Sequence, residues 1–435
     1  MQKSIYSFLI ALLSMLINAN AQKVYNLNDA VKTAIKNSYD IQLVENSLAI
    51  AKNNNDYGVA GALPNISATA NENKTNSTLQ QQYTDPSRNT TKSGVEGTTL
   101  TAGLSASIVV FNGYRIMATK DRLASIEKQN IALLQGQMQN TVAQVMQQYY
   151  NVVRQQAYLI TIEKSIDASK QRLDIVNTKK QVGLANQSDI LQSNLDLNAL
   201  IQAKQNQILV IDQAKADLLN SMVLPPSEQI IVNDSIVVFD QIKLADVESK
   251  MKLNPSLQSV EQTININQFI EKETRALMYP TLRATTGYNL SSNKSAAGFS
   301  LLNETYGPYV GLSISVPIYA GTAYKRNYKN AKINTDIAKI NYKSAEADMT
   351  TAIFKTYQAY QNNLKQTPIE QANYIMSQDL LGLVIQKYQL GQATMVDVKQ
   401  AQQSFENAGF RLISLRYAAK IAEIELQRIS NQLSF

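Results

Sequence analysis

Cysteine, histidine and tryptophan are all absent from the 435 residues, and proline occurs only 9 times. Without Cys there is no disulfide, no thiolate metal site and no lipid anchor on an N-terminal thiol. Without His, the commonest general base and the commonest metal ligand are both missing. Lys and Arg number 41 against 34 Asp and Glu, and no basic block or basic-aromatic cluster stands out, so nucleic-acid binding has no support. The 11 Met residues are scattered, which removes the usual sign of metal specificity, and no cofactor is expected. A Ser-Lys pair, Ser125 and Lys128, is what remains for nucleophilic chemistry. It lies in a long polar helical stretch with no partner motif, so the chain reads as something other than an enzyme.

What is present begins with Lys3, an uncharged and mostly apolar run from Ile5 to Ile17, and Ala19-Asn20-Ala21. That order is a secretory signal, too short in its apolar part to span a bilayer as a helix. Residues 1–21 are therefore expected to be removed on export from the cytoplasm.

The remainder is written twice. Val182-Gly183-Leu184, with Asp189 six residues past the Gly, returns as Leu390-Gly391-Gln392 with Asp397, displaced by 208. Val110-Phe111-Asn112-Gly113 returns as Ile318-Tyr319-Ala320-Gly321 and Tyr149 as Tyr357 at the same displacement. Upstream, Leu63-Pro64 matches Tyr279-Pro280 at 216, and Leu27, Asp29 and Asn37 match Leu244, Asp246 and Asn254 at 217. A shared register across independent anchors is a tandem duplication. The expected division is a first repeat over 22–222, a side element over 223–243 with Pro225-Pro226 and short β-branched runs, and a second repeat over 244–435.

Inside each repeat the hydrophobic period changes in the same order. From Leu100 to Val110 every even position is apolar while the odd ones are mostly Thr, Ser or Gly, and Val310 to Ile318 does the same. This is strand alternation, with a weaker partner strand before each. Strand pairs are expected over about 63–112 and 280–319. Their connections, about 71–98 and 291–306, are rich in Asn, Ser, Thr and Gly and read as exposed loops. Helical spacing follows each pair. Leu134, Met138, Val142, Val145, Tyr149 and Val152 step by three or four, as do Leu412, Leu415, Ala419, Ala422, Leu426 and Ile429. Long helical hairpins are expected over about 115–221 and 322–430, turning at the two Gly, with Pro368 kinking or ending a segment.

Strands of about ten residues with one apolar face can cross a bilayer when tilted. In lipid every backbone donor needs a partner, so an open four-stranded sheet must close. Four strands are too few to enclose a pore, which requires assembly with further copies. The fold class is mainly α with transmembrane β. Tyr288, Tyr306, Tyr309 and Tyr319, at or near strand ends, could supply an interfacial aromatic girdle.

Through these duplicated strand pairs and hairpins, the Phe111-Asn112-Gly113 and Tyr319-Ala320-Gly321 junctions and the two Gly turns, the chain resembles the TolC-like outer-membrane efflux proteins over its mature length. The resemblance implies a homotrimer whose twelve-stranded β-barrel, four strands per chain, stands in outer-membrane lipid and continues as a long α-helical coiled-coil barrel in the periplasm. It implies an exit duct of a tripartite efflux or type I secretion system, taking cargo from a periplasmic adaptor (membrane fusion protein) and an inner-membrane pump. On this resemblance Val182, Gly183, Leu184, Leu390, Gly391 and Gln392 form the adaptor-binding tips, and Asp189, Tyr388 and Asp397 the periplasmic gate. Three Asp397 carboxylates around one axis would favour cations and raise one another's pKa. Ala393 and Gln400 stand where some relatives have an Arg and a second acid, which leads us to expect fewer ionic contacts and a weaker cation block. The alternative is a periplasmic coiled-coil adaptor, but that would have one hairpin instead of two.

Overall fold

A computed structural model describes residues 23–239, 242–298 and 300–433. The segment read as a signal lies outside the described residues. The elements run β1 (Lys23–Val24), α1 (Leu27–Asn37), α2 (Tyr39–Asn54), β2 (Asn65–Gln81), β3 (Thr90–Phe111), α3 (Arg115–Gln181) and α4 (Gln187–Ser221). They continue β4 (Ile230–Ile231), α5 (Leu244–Lys250), α6 (Pro255–Ala276), β5 (Thr281–Ser295), β6 (Leu302–Ser315), α7 (Ala323–Gln389) and α8 (Met395–Ile429). Two compact units form. One takes the described parts of 1–45, 132–258 and 344–435, and the other 46–131 and 259–343.

The second of these units holds one antiparallel sheet in the order β2-β3-β5-β6. Its register explains the alternation. Leu104 lies opposite Ala68 on one side and Tyr288 on the other, and Ala284 opposite both Ile108 and Leu312. Directly opposed residues share a face, so the apolar positions of all four strands gather on one face and the Thr, Ser and Gly positions on the other. The apolar face finds no cover among the described residues. Val310, Leu312 and Ile314 are 87%, 71% and 68% exposed.

The strands are longer than alternation alone indicated. β2 has 17 residues and β3 has 22, and pairing continues from Asn71↔Thr101 out to Gln81↔Thr90 with one bulge between Ser77 and Leu79. Most of the stretch read as a loop over 71–98 is therefore a polar hairpin arm. With Leu79 and Val95 as isolated apolar positions, its faces carry no alternating period, while backbone pairing needs none. Likewise β5 runs to Ser295 and β6 starts at Leu302, which shortens the loop read over 291–306. As a result Tyr288 sits mid-strand opposite Pro308. At the other end β6 stops at Ser315, so Val316, Pro317 and Ile318 are not strand. The partner ends with Ser315 opposite Thr281, just after Pro280, and Pro317 has no amide to donate.

In the first unit the helical stripes turn inward. Val142, Val145, Tyr149 and Val152 are buried with Leu218, Leu219, Met222 and Ile424 in one apolar cluster. The repeat anchors Asn37 and Asn254 acquire a shared reason. Each side-chain amide donates to the carbonyl at the far end of a hairpin, Asn37 to Met222 at 3.2 Å and Asn254 to Ile429 at 2.9 Å. Between the repeats, β4 pairs in parallel with β1 through Lys23↔Ile230 and Val24↔Ile231, whereas the second β-branched run, Ile236 to Val238, forms no strand. Helix α7 continues through Pro368 instead of ending there; the ring gives up one bond to the Leu364 carbonyl while the neighbouring turns hold. No helix among the described residues is long and apolar enough to cross a membrane.

Candidate functional site

Both hairpin tips are built from the same two devices. Helix α3 ends with the Leu184 amide on the Lys179 carbonyl at 2.8 Å and the Gly183 amide on Lys180 at 3.0 Å. Helix α7 ends with Gln392 on Lys387 at 2.9 Å and Gly391 on Tyr388 at 3.2 Å. This crossed pair of bonds needs a left-handed residue after the helix, and Gly183 and Gly391 supply φ of 79° and 76°. Nothing lies within 4 Å of where a Cβ would stand on either glycine, so the backbone angle alone requires them. Gly183→Ala and Gly391→Ala are each expected to cost about 1–2 kcal/mol, the left-handed penalty for an L-residue. Faster amide exchange confined to residues around the altered tip would report it.

Three residues on, each returning helix starts with a reciprocal cap. Asn186 Oδ1 accepts the Asp189 amide at 3.0 Å while Asp189 accepts the Asn186 amide at 2.9 Å. Thr394 Oγ1 accepts the Asp397 amide at 3.2 Å while Asp397 accepts the Thr394 amide and hydroxyl at 2.7 Å each. This is a capping box, so the Asp six residues past each Gly has a structural task in every single chain. The Thr394 bonds hold the Asp397 carboxyl below the usual carboxylate range, opposite in direction to the rise expected from like charges around an axis. The cap therefore contributes above the ordinary carboxylate pKa and is lost only as pH falls through the lowered one.

The tips present apolar surface. Val182, Leu184, Leu390 and Val396 are all exposed, Leu184 at 76%. Tyr388 is different. Its ring is buried with Val176, Leu381, Ile385, Val398 and Phe405. Lys179 lies 4.1 Å from the ring centroid and donates to the Tyr388 carbonyl. Burial first, then the negative charge of Asp189, raises the phenol's pKa, with Arg172 opposing.

Sequence reasoning missed a cluster behind the tips. Asp196 on α4 accepts from Arg172 Nη2 on α3 at 2.9 Å and from Lys399 Nζ on α8 at 3.1 Å. It thereby joins both arms of the first hairpin to the second. The Arg172 side chain is 1% exposed, and its Nε and Nη1 have no hydrogen-bond partner among the described residues. The position of Arg172 is one of many polar sites on a long helix, and only its burial marks it out; no spacing could have done so. Ser125, the nucleophile considered above, donates to the Asp121 carbonyl at 3.0 Å, an ordinary helix back-bond.

Comparison with known proteins bears on this geometry. The family model described as "Outer membrane efflux protein" matches residues 30–221 and 248–432. The outer membrane efflux protein BepC of Brucella suis is 19% identical over 340 residues, spanning 78% of this chain and 73% of BepC. The outer membrane protein TolC of Escherichia coli is 21% identical over 336 residues, spanning 74% of this chain and 67% of TolC. Among solved structures, the outer membrane protein VceC of Vibrio cholerae superposes with a TM-score of 0.77 at 14% identity, covering 93% of this chain and 95% of VceC.

Proposed function

This chain belongs to the outer membrane efflux protein family, acting as an efflux channel in the outer membrane with its helical part in the periplasm, and from that premise we propose the assembly and gate described next. Three copies close their sheets into one twelve-stranded barrel, the β6 edge of each pairing with the β2 edge of the next. What supports this is the sheet itself. Its apolar face is uncovered, and its two outer strands offer unpaired backbone that lipid cannot satisfy. A head-to-tail contact that closes after three steps needs no further partner.

The helices continue the barrel as a duct for cargo handed over by a periplasmic adaptor and an inner-membrane pump, without enzymatic chemistry. Val182, Gly183, Leu184, Leu390, Gly391 and Gln392 form the adaptor-facing tips, supported by the exposed apolar side chains on two rigidly capped turns. Asp189, Tyr388 and Asp397 line or support the gate. The tie that Ala393 cannot make is made by Asp196, through Arg172 and Lys399.

Because the chain contains no Cys, a single introduced thiol is a unique attachment point. A photo-crosslinker on Leu184→Cys is expected to trap a periplasmic protein bearing its own helical hairpin, whereas the same label on Ser87→Cys, between β2 and β3, traps none. Capture at 87 and not at 184 would reverse the tip assignment. A mass in detergent other than three chains would remove the twelve-stranded barrel.

A further inference from the structure

The two strand-to-helix junctions share a geometry that the channel function does not use. Gly113-Tyr114 and Gly321-Thr322 are consecutive left-handed pairs, with φ of 68° and 66° in the first and 59° and 66° in the second. Beside each lies a hollow. In the second repeat it measures about 230 Å³, with Ile318, Tyr319 and Tyr324 as floor and Lys325 at its edge. In the first it measures about 410 Å³, lined by Phe111, Tyr114 and Tyr279, with Lys272 and Arg275 and the acid Asp121 beside them. Both hollows are aromatic and apolar, but Met117 and Asp121 stand in the first where Lys325 and Lys329 stand in the second, so only the second junction carries cations without an acid beside them.

The charge around the second junction is ordered further. Lys325, Lys329 and Lys332 follow at helical spacing on one side of α7, all exposed, with Arg326 adjacent. None of the three lysines forms an ion pair among the described residues. In the linear sequence these cations are separated by Asn, Tyr and Ala, which is why no basic cluster stood out there; the helix brings them to one face. The far end of the sheet is not comparable. Acids accompany the bases there, Glu72 with Lys74 at 3.7 Å, Glu96 on the outer arm of β3 with Lys92, and Glu304 on β6 opposite the β5 arm that carries Lys294.

We propose that the second junction seats an anionic phospholipid of the periplasmic leaflet, with phosphate oxygens on the Lys and Arg side chains and acyl chain against the aromatic floor. The proposal rests on the outer-membrane placement of the sheet. It favours lipid over acidic cargo because the hollow adjoins the end of β6, whose apolar side chains are exposed, and is itself lined by exposed apolar and aromatic residues. Ile318 and Tyr319, which line the hollow just beyond the end of β6, are 93% and 83% exposed. Cations next to a membrane surface attract acidic lipid at about fivefold per residue, from ~1 kcal/mol each; aromatic rings at headgroup level add the interfacial contact.

The test is lipid association with the full chain in phosphatidylethanolamine vesicles carrying spin-labelled phosphatidylglycerol or, separately, spin-labelled phosphatidylcholine. Wild type is expected to immobilise phosphatidylglycerol at least about fivefold more than phosphatidylcholine, the weight of one basic residue. K325Q/R326Q/K329Q is expected to lose that preference while still inserting, and K325R/K329R to keep it. Excess inorganic phosphate should leave the bound lipid in place; displacement would mean that the site takes a free anion. Equal association of the two lipids by inserted wild type overturns the proposal and leaves the channel untouched. An unchanged preference in the triple variant together with altered ion selectivity would put the lysines in the lumen, which also overturns it. Wild type that fails to insert would defeat the membrane placement and the proposal with it.

Discussion

Asp196→Ala is expected to destabilise the helical unit by about 3 kcal/mol, the lower end of the range for removing one partner of a buried ion pair. The cost is carried by Arg172, which would remain 1% exposed with all of its guanidinium nitrogens short of an anion. The lower end applies because Asp196 itself is 15% exposed and Lys399 is 47% exposed, so water already screens part of the network. Lys399→Ala should therefore cost well under about 1 kcal/mol, as exposed pairs do. The double change Arg172→Met with Asp196→Leu should recover most of the loss, since an apolar pair of similar volume avoids desolvating charge. Helix melting in detergent measures all three. If Asp196 also ties the hairpins in the resting gate, Asp196→Ala and Lys399→Ala should both raise the fraction of time that single channels spend open, out of proportion to their different costs in stability. An Asp196→Ala chain that melts with wild type would mean that Arg172 finds another acceptor and that the cluster is no tie.

The second large effect belongs to the sheet. Leu104→Arg is expected to cost about 2–4 kcal/mol per chain, the penalty for a cation on the lipid face near mid-membrane, and to abolish stable trimer in membranes. Leu104 is central, paired on one side with Ala68 and on the other with Tyr288, and it stands on the apolar face. Thr101→Arg, three residues away on the opposite face, should assemble normally and instead shift ion selectivity, because in the proposed closed barrel that face would meet water. Equal yields of both variants from the membrane fraction would contradict the assignment of faces. The comparison is sharp because the two positions share one strand and one substitution, and differ in the side of the sheet.

Legibility in the sequence followed the strength of each period. The helices of the two hairpins were readable because an apolar stripe recurs over many turns and because Gly183 and Gly391 interrupt it with a residue that only a left-handed turn demands. The inner parts of the strands were readable because one face is apolar and the other small or polar. Their outer arms were not. Asn71 to Gln81 and Thr90 to Thr98 are polar on both faces but for Leu79 and Val95, and what holds them is mainly backbone pairing, which leaves little trace in side-chain pattern. Asp189 and Asp397 were found by repetition, but their immediate work, closing a capping box with Asn186 and Thr394, depends on bonds to backbone amides that a spacing of six does not reveal.

By itself, then, the sequence determined the duplication, the order of strand pair and hairpin, and the exclusion of thiol and imidazole chemistry, all properties carried by residue type and period along the chain. The tertiary structure decided what depends on distant segments meeting. It set the register that gathers four strands' apolar residues onto one face, and the Asn37 and Asn254 bonds that fasten the ends of the hairpins. It buried Arg172 against Asp196 and Lys399, and it ranged Lys325, Lys329 and Lys332 beside an aromatic hollow. Burial and charge proximity are properties of three-dimensional neighbours, and a linear pattern holds no term for them.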